Sequence, residues 1–345
     1  MSPLRLSLLL IALAPLACGD STPPAGSDAA PGDSDAAPGA DAPRPAPPPL
    51  TSAVSIVVEP GDHGDALVSA IQGATSSVHL TMYLLGSPDV LPALEDRPAA
   101  GVDVQVVLNQ TFPSSSTSNQ SAYDELAGLG VPVRWAPAAF TYTHAKTALI
   151  DGDTAWIMSM NASQSSMGDN REYLAIDTDA DDVAEAEAIF AADYAGSTPS
   201  VSGKLVVAPV NARPKLIAML VAAETRVDIE AESLSDGDIT DFLAATADRG
   251  VAVRIVLSDS TPSAAQTTSV ATLKAHGVQL RTVSTPYIHA KSMVIDGDAA
   301  YVGSENYTFG SLSHNREIGV VFDAPAAVAT VLATTQADFA SGTSL

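Results

Sequence analysis

One motif occurs twice in this chain, first as Thr143-His144-Ala145-Lys146-Thr147-Ala148-Leu149-Ile150-Asp151 and again as Ile288-His289-Ala290-Lys291-Ser292-Met293-Val294-Ile295-Asp296. The same interval of sequence relates five polar pairs: His144 and His289, Lys146 and Lys291, Asp151 and Asp296, Ser159 and Ser304, and Asn161 and Asn306. It also relates Asn170-Arg171-Glu172 to Asn315-Arg316-Glu317. A repeat of this kind, without insertions, indicates two homologous units in one chain.

Each copy of the motif predicts a β-hairpin. Small and β-branched residues alternate up to an Asp-Gly-Asp turn at 151–153 and at 296–298, and a second apolar run follows each turn. Asp-Gly between two such runs is a strong short-range signal for a hairpin. Because side chains two residues apart on a strand point to the same face, we expect His144 beside Lys146 and His289 beside Lys291.

The repeat extends well beyond the motif. Leu67 and Val78, for example, correspond to Leu216 and Val227. In each copy Val-rich strands alternate with helical segments, which predicts an α/β fold with helices on both faces of the sheet. We therefore expect two homologous α/β/α sandwich halves, 51–199 and 200–345, with mixed, mostly parallel sheets related by a pseudo-two-fold axis.

Residues 1–50 belong to neither half. Arg5 precedes an apolar run that is too short to span a bilayer and is typical of a secretory signal peptide. Leu16-Ala17-Cys18 resembles the end of a bacterial lipoprotein signal, although Pro15 stands where that motif prefers leucine. We expect 1–18 to be the signal, with Cys18 lipidated, and 19–50 to be a disordered Pro/Ala/Asp-rich linker. The protein would be an exported membrane lipoprotein, or secreted if Cys18 is incidental.

The formal net charge of −24 restricts the partners that the protein can bind. Nucleic-acid binding depends on Lys and Arg side chains against phosphates, and this chain has only five lysines, of which two lie in the motifs. A nucleic-acid partner is therefore not expected. The Cys and His spacings that are typical of zinc sites are absent from the sequence, and we expect no metal and no other cofactor.

The repeated polar residues suit the cleavage of a phosphate ester. That reaction needs a nucleophile, an acid for the leaving oxygen and positive charge beside the phosphoryl oxygens. One imidazole can attack phosphorus while the other protonates the leaving group. Lys146 and Lys291 would hold the phosphate, and Asn161 and Asn306 would donate further hydrogen bonds. The alternative is a duplicated hairpin whose polar residues only cap turns and face solvent.

The pattern His-x-Lys, then Asp after four residues and Gly-Ser-x-Asn beyond, resembles the HKD signature of the phospholipase D superfamily over residues 52–340. The resemblance implies a two-step reaction through a covalent phosphohistidine, without a metal. It implies that one of His144 and His289 is the nucleophile and the other the acid and base, with His144 favoured as the nucleophile because the family more often uses the N-terminal one. It also implies that Glu172 and Glu317 each orient a histidine.

Other positions of the signature are expected to support the site rather than react. Asp151 and Asp296 stand where a hairpin turn favours Asp, so we interpret them as structural. Ser159 and Ser304 are expected to donate hydrogen bonds. The first copy has Met158 where the family has glycine, and its side chain is expected to narrow the pocket or to tilt its half of the site.

The resulting hypothesis is a metal-independent phosphodiesterase that hydrolyses a phosphatidylcholine-like headgroup to phosphatidic acid. The protein is expected to act as a monomer, on a phospholipid substrate, at a membrane surface that it reaches through its lipid anchor. Three alternatives stay open: a nuclease of the same superfamily, a phosphatidyl transferase, and a non-catalytic module that binds phosphate or lipid. A binding module would need the lysines but not two histidines.

Overall fold

The computed structural model describes residues 48–199, 201 and 203–345. The expected signal peptide, Cys18 and nearly all of the expected linker lie outside the described residues. Within the described ranges, every helix is too short or too polar to cross a bilayer.

The two halves contain the same succession of elements, apart from a 3₁₀ turn in the first and two additional short strands, Tyr287–Ile288 and Thr343–Ser344, in the second. The first half consists of β1 (Val54–Glu59), α1 (Asp65–Gly73), β2 (Ser77–Met82), α2 (Val90–Glu95), a 3₁₀ turn (Pro98–Ala100), β3 (Asp103–Leu108), α3 (Gln120–Gly128), β4 (Val133–Trp135), β5 (Thr147–Ile150), β6 (Thr154–Met158), α4 (Gln164–Gly168), β7 (Asn170–Asp177) and α5 (Ala180–Ala195). The second half consists of β8 (Val206–Ala208), α6 (Ala212–Ala222), β9 (Arg226–Ala231), α7 (Gly237–Asp248), β10 (Ala252–Ser258), α8 (Ala264–Ala275), β11 (Gln279–Val283), β12 (Tyr287–Ile288), β13 (Lys291–Ile295), β14 (Ala299–Gly303), α9 (Phe309–His314), β15 (Glu317–Phe322), α10 (Pro325–Ser341) and β16 (Thr343–Ser344).

Each half builds one sheet with the same strand order. The first sheet runs β1-β7-β6-β5-β2-β3-β4, and the second runs β8-β15-β14-β13-β9-β10-β11 with β16 added at its edge. The α/β class and the two repeated halves are thereby confirmed. The motif hairpins are confirmed as well, since β5 pairs antiparallel with β6 and β13 with β14.

The proportion of parallel pairing needs a correction. Among the described strands, β2-β3-β4, β9-β10-β11 and the short pair β12-β7 are parallel, and the other neighbours in each sheet are antiparallel. Parallel neighbours need a long crossover, which a helix supplies between β2 and β3 and between β3 and β4. The hairpin strands, β5 and β6 or β13 and β14, and the strand that follows them, β7 or β15, are joined without such a crossover. They therefore pair antiparallel.

The described residues form three hydrophobic clusters, one in each half and one between the halves. Each half has its own cluster of buried residues between the sheet and its outer helices. A further cluster joins the halves, with Ile157 and Tyr173 from the first sheet, Val302 and Val320 from the second, and residues of α5 and α10. Burying a large apolar side chain contributes about 1.5–3 kcal/mol. Because this joint cluster belongs to both sheets, the relative position of the two motifs is set by apolar packing.

The aspartates of the motif anchor the hairpin turns. Asp151 has a φ of 56° and Asp296 a φ of 55°, values that L residues other than Asn and Asp seldom adopt. The carboxylate of Asp151 accepts hydrogen bonds from the backbone N–H groups of Thr75, Ser76 and Ser77. Asp296 accepts the equivalent bonds at 224–226. Each carboxylate therefore ties the hairpin to the turn before β2 or β9, at the end of the strand away from the histidine.

These hydrogen bonds determine the charge of both carboxyl groups. Partial burial raises the pKa of Asp151, but the N–H groups of Ser76, Ser77 and Thr75 outweigh it and hold the pKa well below its usual range. The pKa of Asp296 is lowered in the same way, with burial opposed by the N–H groups of Arg226 and Glu224. Both groups are ionised at neutral pH, and their ionised form stabilises the fold.

Replacing Asp151 with Asn tests this role, because Asn keeps the shape and tolerates the positive φ while it removes the charge. We expect the free energy of unfolding to fall by about 2 kcal/mol at neutral pH. The folded-state pKa is depressed, so the difference from the wild type should be full above about pH 5 and should shrink at lower pH. Urea unfolding as a function of pH measures this difference in the free energy of unfolding. Asp153→Asn, at an exposed position in the same turn, is the matched control and should have little effect. Equal losses in both variants would contradict the role.

Candidate active site

The motif histidines lie beside strands of the opposite half. The N–H groups of His144 and Ala145 donate to the carbonyl oxygen of Arg316 at 2.8 and 2.9 Å. In the other direction, β12 pairs in parallel with β7, and the N–H of His289 donates to the carbonyl oxygen of Arg171 at 3.3 Å. The sequence predicted a strand through the histidine and the lysine. The strand instead begins at Thr147 in the first copy and at Lys291 in the second, because the preceding N–H groups bind the other half.

Each histidine is paired with a carboxylate of the other half. Nδ1 of His144 lies 2.8 Å from Oε2 of Glu317, and Nδ1 of His289 lies 2.7 Å from Oε1 of Glu172. The histidines are 5% and 4% exposed, and both glutamates are fully buried. The pairing is therefore reciprocal, and the site is assembled from both halves at once.

Both glutamates carry a negative charge. Burial raises the pKa of Glu172, but the charges of His289 and Lys291 outweigh that effect and hold it below its usual range. Burial likewise raises the pKa of Glu317, and the charges of His144 and Lys146 lower it further than burial raises it. A carboxylate at Nδ1 selects the tautomer that carries its proton on Nδ1, and Nε2 then faces the site with its lone pair. This is the arrangement of a reactive histidine held by a third group.

Further hydrogen bonds hold the glutamates in place. Ser159 Oγ donates to Glu172 at 2.6 Å and accepts the N–H of Tyr173. Glu317 accepts from Ser311 Oγ at 2.7 Å and from Asn315 Nδ2 at 3.1 Å. Ser304 Oγ accepts the N–H of Ile318, next to Glu317. The serines of the motif thus position the carboxylates that position the histidines.

The two lysines are completely buried, each beside its own histidine. Nζ of Lys146 donates to the carbonyl oxygen of His144, and Nζ of Lys291 donates to that of His289. A buried ammonium group is costly unless anions surround it. The two ammonium groups therefore place positive charge directly beside both histidines.

The two asparagines complete the repeated set. Asn161 is 3% exposed, and Nδ2 of Asn306 donates to Glu232 at 3.3 Å. Among the described residues, Oδ1 of each asparagine is buried without a hydrogen-bond partner. Each amide oxygen can therefore accept a hydrogen bond from a ligand group that carries a proton. No cluster of three His, Cys, Asp or Glu residues suited to a metal ion occurs within the described ranges.

Met158 lies away from the site, contrary to the expectation that it narrows the pocket. Its side chain is fully buried in the core of the first half. At the equivalent Gly303, a Cβ would collide with Tyr301, Glu305 and Gly319. The first half has Trp156, Met160 and Leu174 at those three positions, so its core is filled by a different set of side chains, with Met158 among them.

Two residues of the site escaped the sequence analysis, Tyr83 and Glu232. The ring of Tyr83 lies 4.5 Å from the ring of His144 and 5.0 Å from Nζ of Lys146. Glu232 contacts His289 and Lys291. The interval that relates Leu67 to Leu216 also relates Tyr83 to Glu232, so the repeat held a signal for them. That signal was masked because the two residues differ in type.

Comparison with known proteins agrees with this geometry. A family model described as "Cardiolipin synthase, PLD-like domain" matches residues 67–194 and again 216–339. Curated relatives include a cardiolipin synthase of Listeria monocytogenes serotype 4a, 24% identical over 311 residues, covering 77% of this chain and 64% of the relative. A probable cardiolipin synthase of Bacillus subtilis is 22% identical over 315 residues, covering 77% of this chain and 61% of the relative. The chain thus spans less than two thirds of the length of these relatives.

Solved structures share the fold. A phosphatidylserine synthase from Haemophilus influenzae aligns over 86% of this chain and 88% of its own, with a TM-score of 0.65 and 10% identity. A polyphosphate kinase from Porphyromonas gingivalis aligns over 87% of this chain and 52% of its own, with a TM-score of 0.66 and 16% identity. At these identities the likeness concerns the fold alone.

A double-mutant cycle tests the crossed pairing. We expect His144→Gln and Glu317→Gln to show a coupling of about 1–3 kcal/mol in the free energy of unfolding, because each change leaves the other partner buried and unpaired. The control cycle combines His144→Gln with Glu172→Gln, the carboxylate of the same half, and its coupling should stay below about 0.5 kcal/mol. Urea unfolding of the three single variants, the two double variants and the wild type measures both couplings. The crossed arrangement fails if the control cycle shows the larger coupling.

Proposed function

Because this chain belongs to the phospholipase D superfamily, with one PLD-like domain in each half, we propose that it is a phospholipid-modifying enzyme that transfers a phosphatidyl group to an alcohol. The observation that carries the proposal is the crossed pairing, which supplies two held imidazoles and two buried ammonium groups to one site. The relatives named as cardiolipin synthases favour transfer over the hydrolysis of phosphatidylcholine that the sequence suggested.

In the first step, Nε2 of His144 attacks the phosphorus of the donor lipid. The bond between phosphorus and the leaving oxygen breaks as a P–N bond forms, and Nε2–H of His289 gives its proton to that oxygen. Lys146 and Lys291 offset the charge on the non-bridging oxygens, and the amides of Asn161 and Asn306 donate to them. In the second step, an alcohol gives its proton to His289 and attacks phosphorus, which releases His144.

The surroundings of the two rings support this division of roles. Nε2 of His289 lies 3.4 Å from Oε2 of Glu232, while Nδ1 faces Glu172. A ring with a carboxylate at each nitrogen is suited to carry a proton on both, as a general acid must. Among the described residues, the one carboxylate within ion-pair distance of His144 is Glu317, at Nδ1. Its Nε2 is left for attack.

The same site can release the phosphatidyl group to water, so the acceptor is set by what reaches the phosphohistidine. A net charge of −24 disfavours a nucleic-acid substrate, as the sequence suggested. Export and lipidation at Cys18 stay predictions, and they would place the enzyme beside its lipid substrate.

A vesicle assay tests the reaction class. We expect the full chain to convert phosphatidylglycerol vesicles to cardiolipin and free glycerol, with His144→Gln inactive, since transfer joins the phosphatidyl group to the alcohol of a second lipid. Mass spectrometry of the lipids separates the outcomes. Phosphatidic acid without cardiolipin indicates hydrolysis instead. Turnover of single-stranded DNA but not of lipid vesicles would show that the enzyme is a nuclease.

A substrate with a good leaving group tests the two roles. With phosphatidyl-p-nitrophenol, departure needs little protonation, so His289→Gln should release about one equivalent of p-nitrophenolate in a burst and then stall with the phosphatidyl group on His144. His144→Gln should give no burst. Stopped-flow absorbance follows the dye, and mass spectrometry locates the adduct. The opposite result, a burst in the His144 variant, would falsify the assignment.

A further inference from the structure

The two halves of the site differ at one equivalent position. Tyr83 follows β2 directly, and Glu232 follows β9 directly. Both side chains are buried, at 3% and 2% exposure. The duplication thus places an aromatic ring beside the first histidine and lysine and a carboxylate beside the second pair.

A single oxygen of Glu232 meets three donors of the second half. Oε2 lies 2.8 Å from Nζ of Lys291, 3.3 Å from Nδ2 of Asn306 and 3.4 Å from Nε2 of His289. Oε1 accepts from the hydroxyl of Tyr287 at 3.3 Å. In the proposed reaction, the same three donors serve the phosphoryl group. Oε2 therefore stands where a phosphoryl oxygen would have to bind.

The equivalent position of the first half carries an aromatic ring instead of a carboxylate. Tyr83 covers Lys146 with the face of its ring, 5.0 Å from Nζ to the ring centre, and contacts His144 edge-on. An aromatic face attracts a cation only weakly compared with a carboxylate at hydrogen-bond distance. At this equivalent position, an incoming oxyanion therefore meets an aromatic ring in the first half and a carboxylate in the second.

We infer that Glu232 is a positioning residue that occupies the phosphate subsite of the second half, so that an oxyanion must displace its carboxylate from Lys291, Asn306 and His289 and brings a proton into the site as it does so. The inference rests on the proposed function for the role of these three donors in phosphate binding. When no oxyanion is bound, Glu232 keeps the buried lysine and histidine neutralised and correctly placed.

Charge balance explains the proton. Burial raises the pKa of Glu232, but the charges of His289 and Lys291, with a contribution from His144, bring it down to about 2. An oxyanion that binds these donors removes the interactions that stabilise the ionised carboxylate of Glu232, while the carboxyl group stays buried. The pKa of Glu232 therefore rises, and the carboxylate binds a proton. The affinity for an oxyanion should therefore fall as the pH rises.

The groups that face Glu232 are His289, Lys291, Tyr287, Asn306 and, from the first half, His144. The histidines also titrate, so they contribute to the pH dependence of oxyanion binding in any variant that keeps them. The share that belongs to Glu232 is the part lost when its carboxyl group is replaced by an amide.

Sulfate binding to the full chain tests the inference without any turnover, because sulfate itself takes up no proton near neutral pH. Isothermal titration calorimetry in buffers of different ionisation heats gives both the affinity and the number of protons taken up. We expect Glu232→Gln to bind sulfate about tenfold more tightly at neutral pH, since a buried like charge is removed. We also expect it to take up about one proton fewer than the wild type.

Glu125→Gln, at an exposed position on α3, removes the same charge from the protein and serves as the control. It should bind sulfate as the wild type does. Wild-type protein that binds sulfate without proton uptake overturns the inference, even if Glu232→Gln does not fold. So does a Glu232→Gln variant that binds sulfate no more tightly than the wild type, including the case in which neither binds it. Failure of lipid turnover alone would count against the proposed function and would leave the sulfate result standing.

Discussion

The structure depends on a reciprocal exchange of charged partners between its two halves. Each motif histidine is held by a glutamate that belongs to the opposite sheet, and all four groups are buried. Removing one partner of a buried pair leaves an uncompensated charge, at a cost of about 3–5 kcal/mol. A single half would contain such unpaired groups together with a buried lysine. The association of the halves is therefore a condition for the site as well as for the joint hydrophobic core.

The exchange also explains why the strands that carry the histidines are short. The N–H groups around His144 and His289 bind carbonyl oxygens of Arg316 and Arg171 and so are taken from their own hairpins. Each of these arginines is tied in turn to a helix, Arg316 to Asp193 of α5 and Arg171 to Asp338 of α10. Backbone pairing, ion pairs and apolar packing thus all connect the first half to the second. Together these interactions hold the rings of His144 and His289 in position.

Duplication alone would produce two identical half-sites, whereas covalent catalysis by two histidines needs one to attack and the other to donate a proton. The differences between the halves occur where they can separate these roles. Tyr83 and Glu232 give the two histidine and lysine pairs different neighbours. Other differences, such as Met158 opposite Gly303, change how each core is filled and leave the polar groups of the site in place.

The sequence by itself determined the duplication, the α/β class, the two hairpins and nearly all the polar residues that meet in the site. These features are local, because an Asp-Gly turn, a strand pattern or a fixed spacing can be recognised from the sequence without knowing how the chain packs. Only the tertiary structure decided that Glu317 serves His144, that Glu172 serves His289, and that the carboxylate of Glu232 contacts Lys291. Spacing along a chain cannot reveal which half a carboxylate will face, because that depends on how two distant sheets pack. The antiparallel majority in each sheet and the buried position of Met158 follow from the same long-range packing.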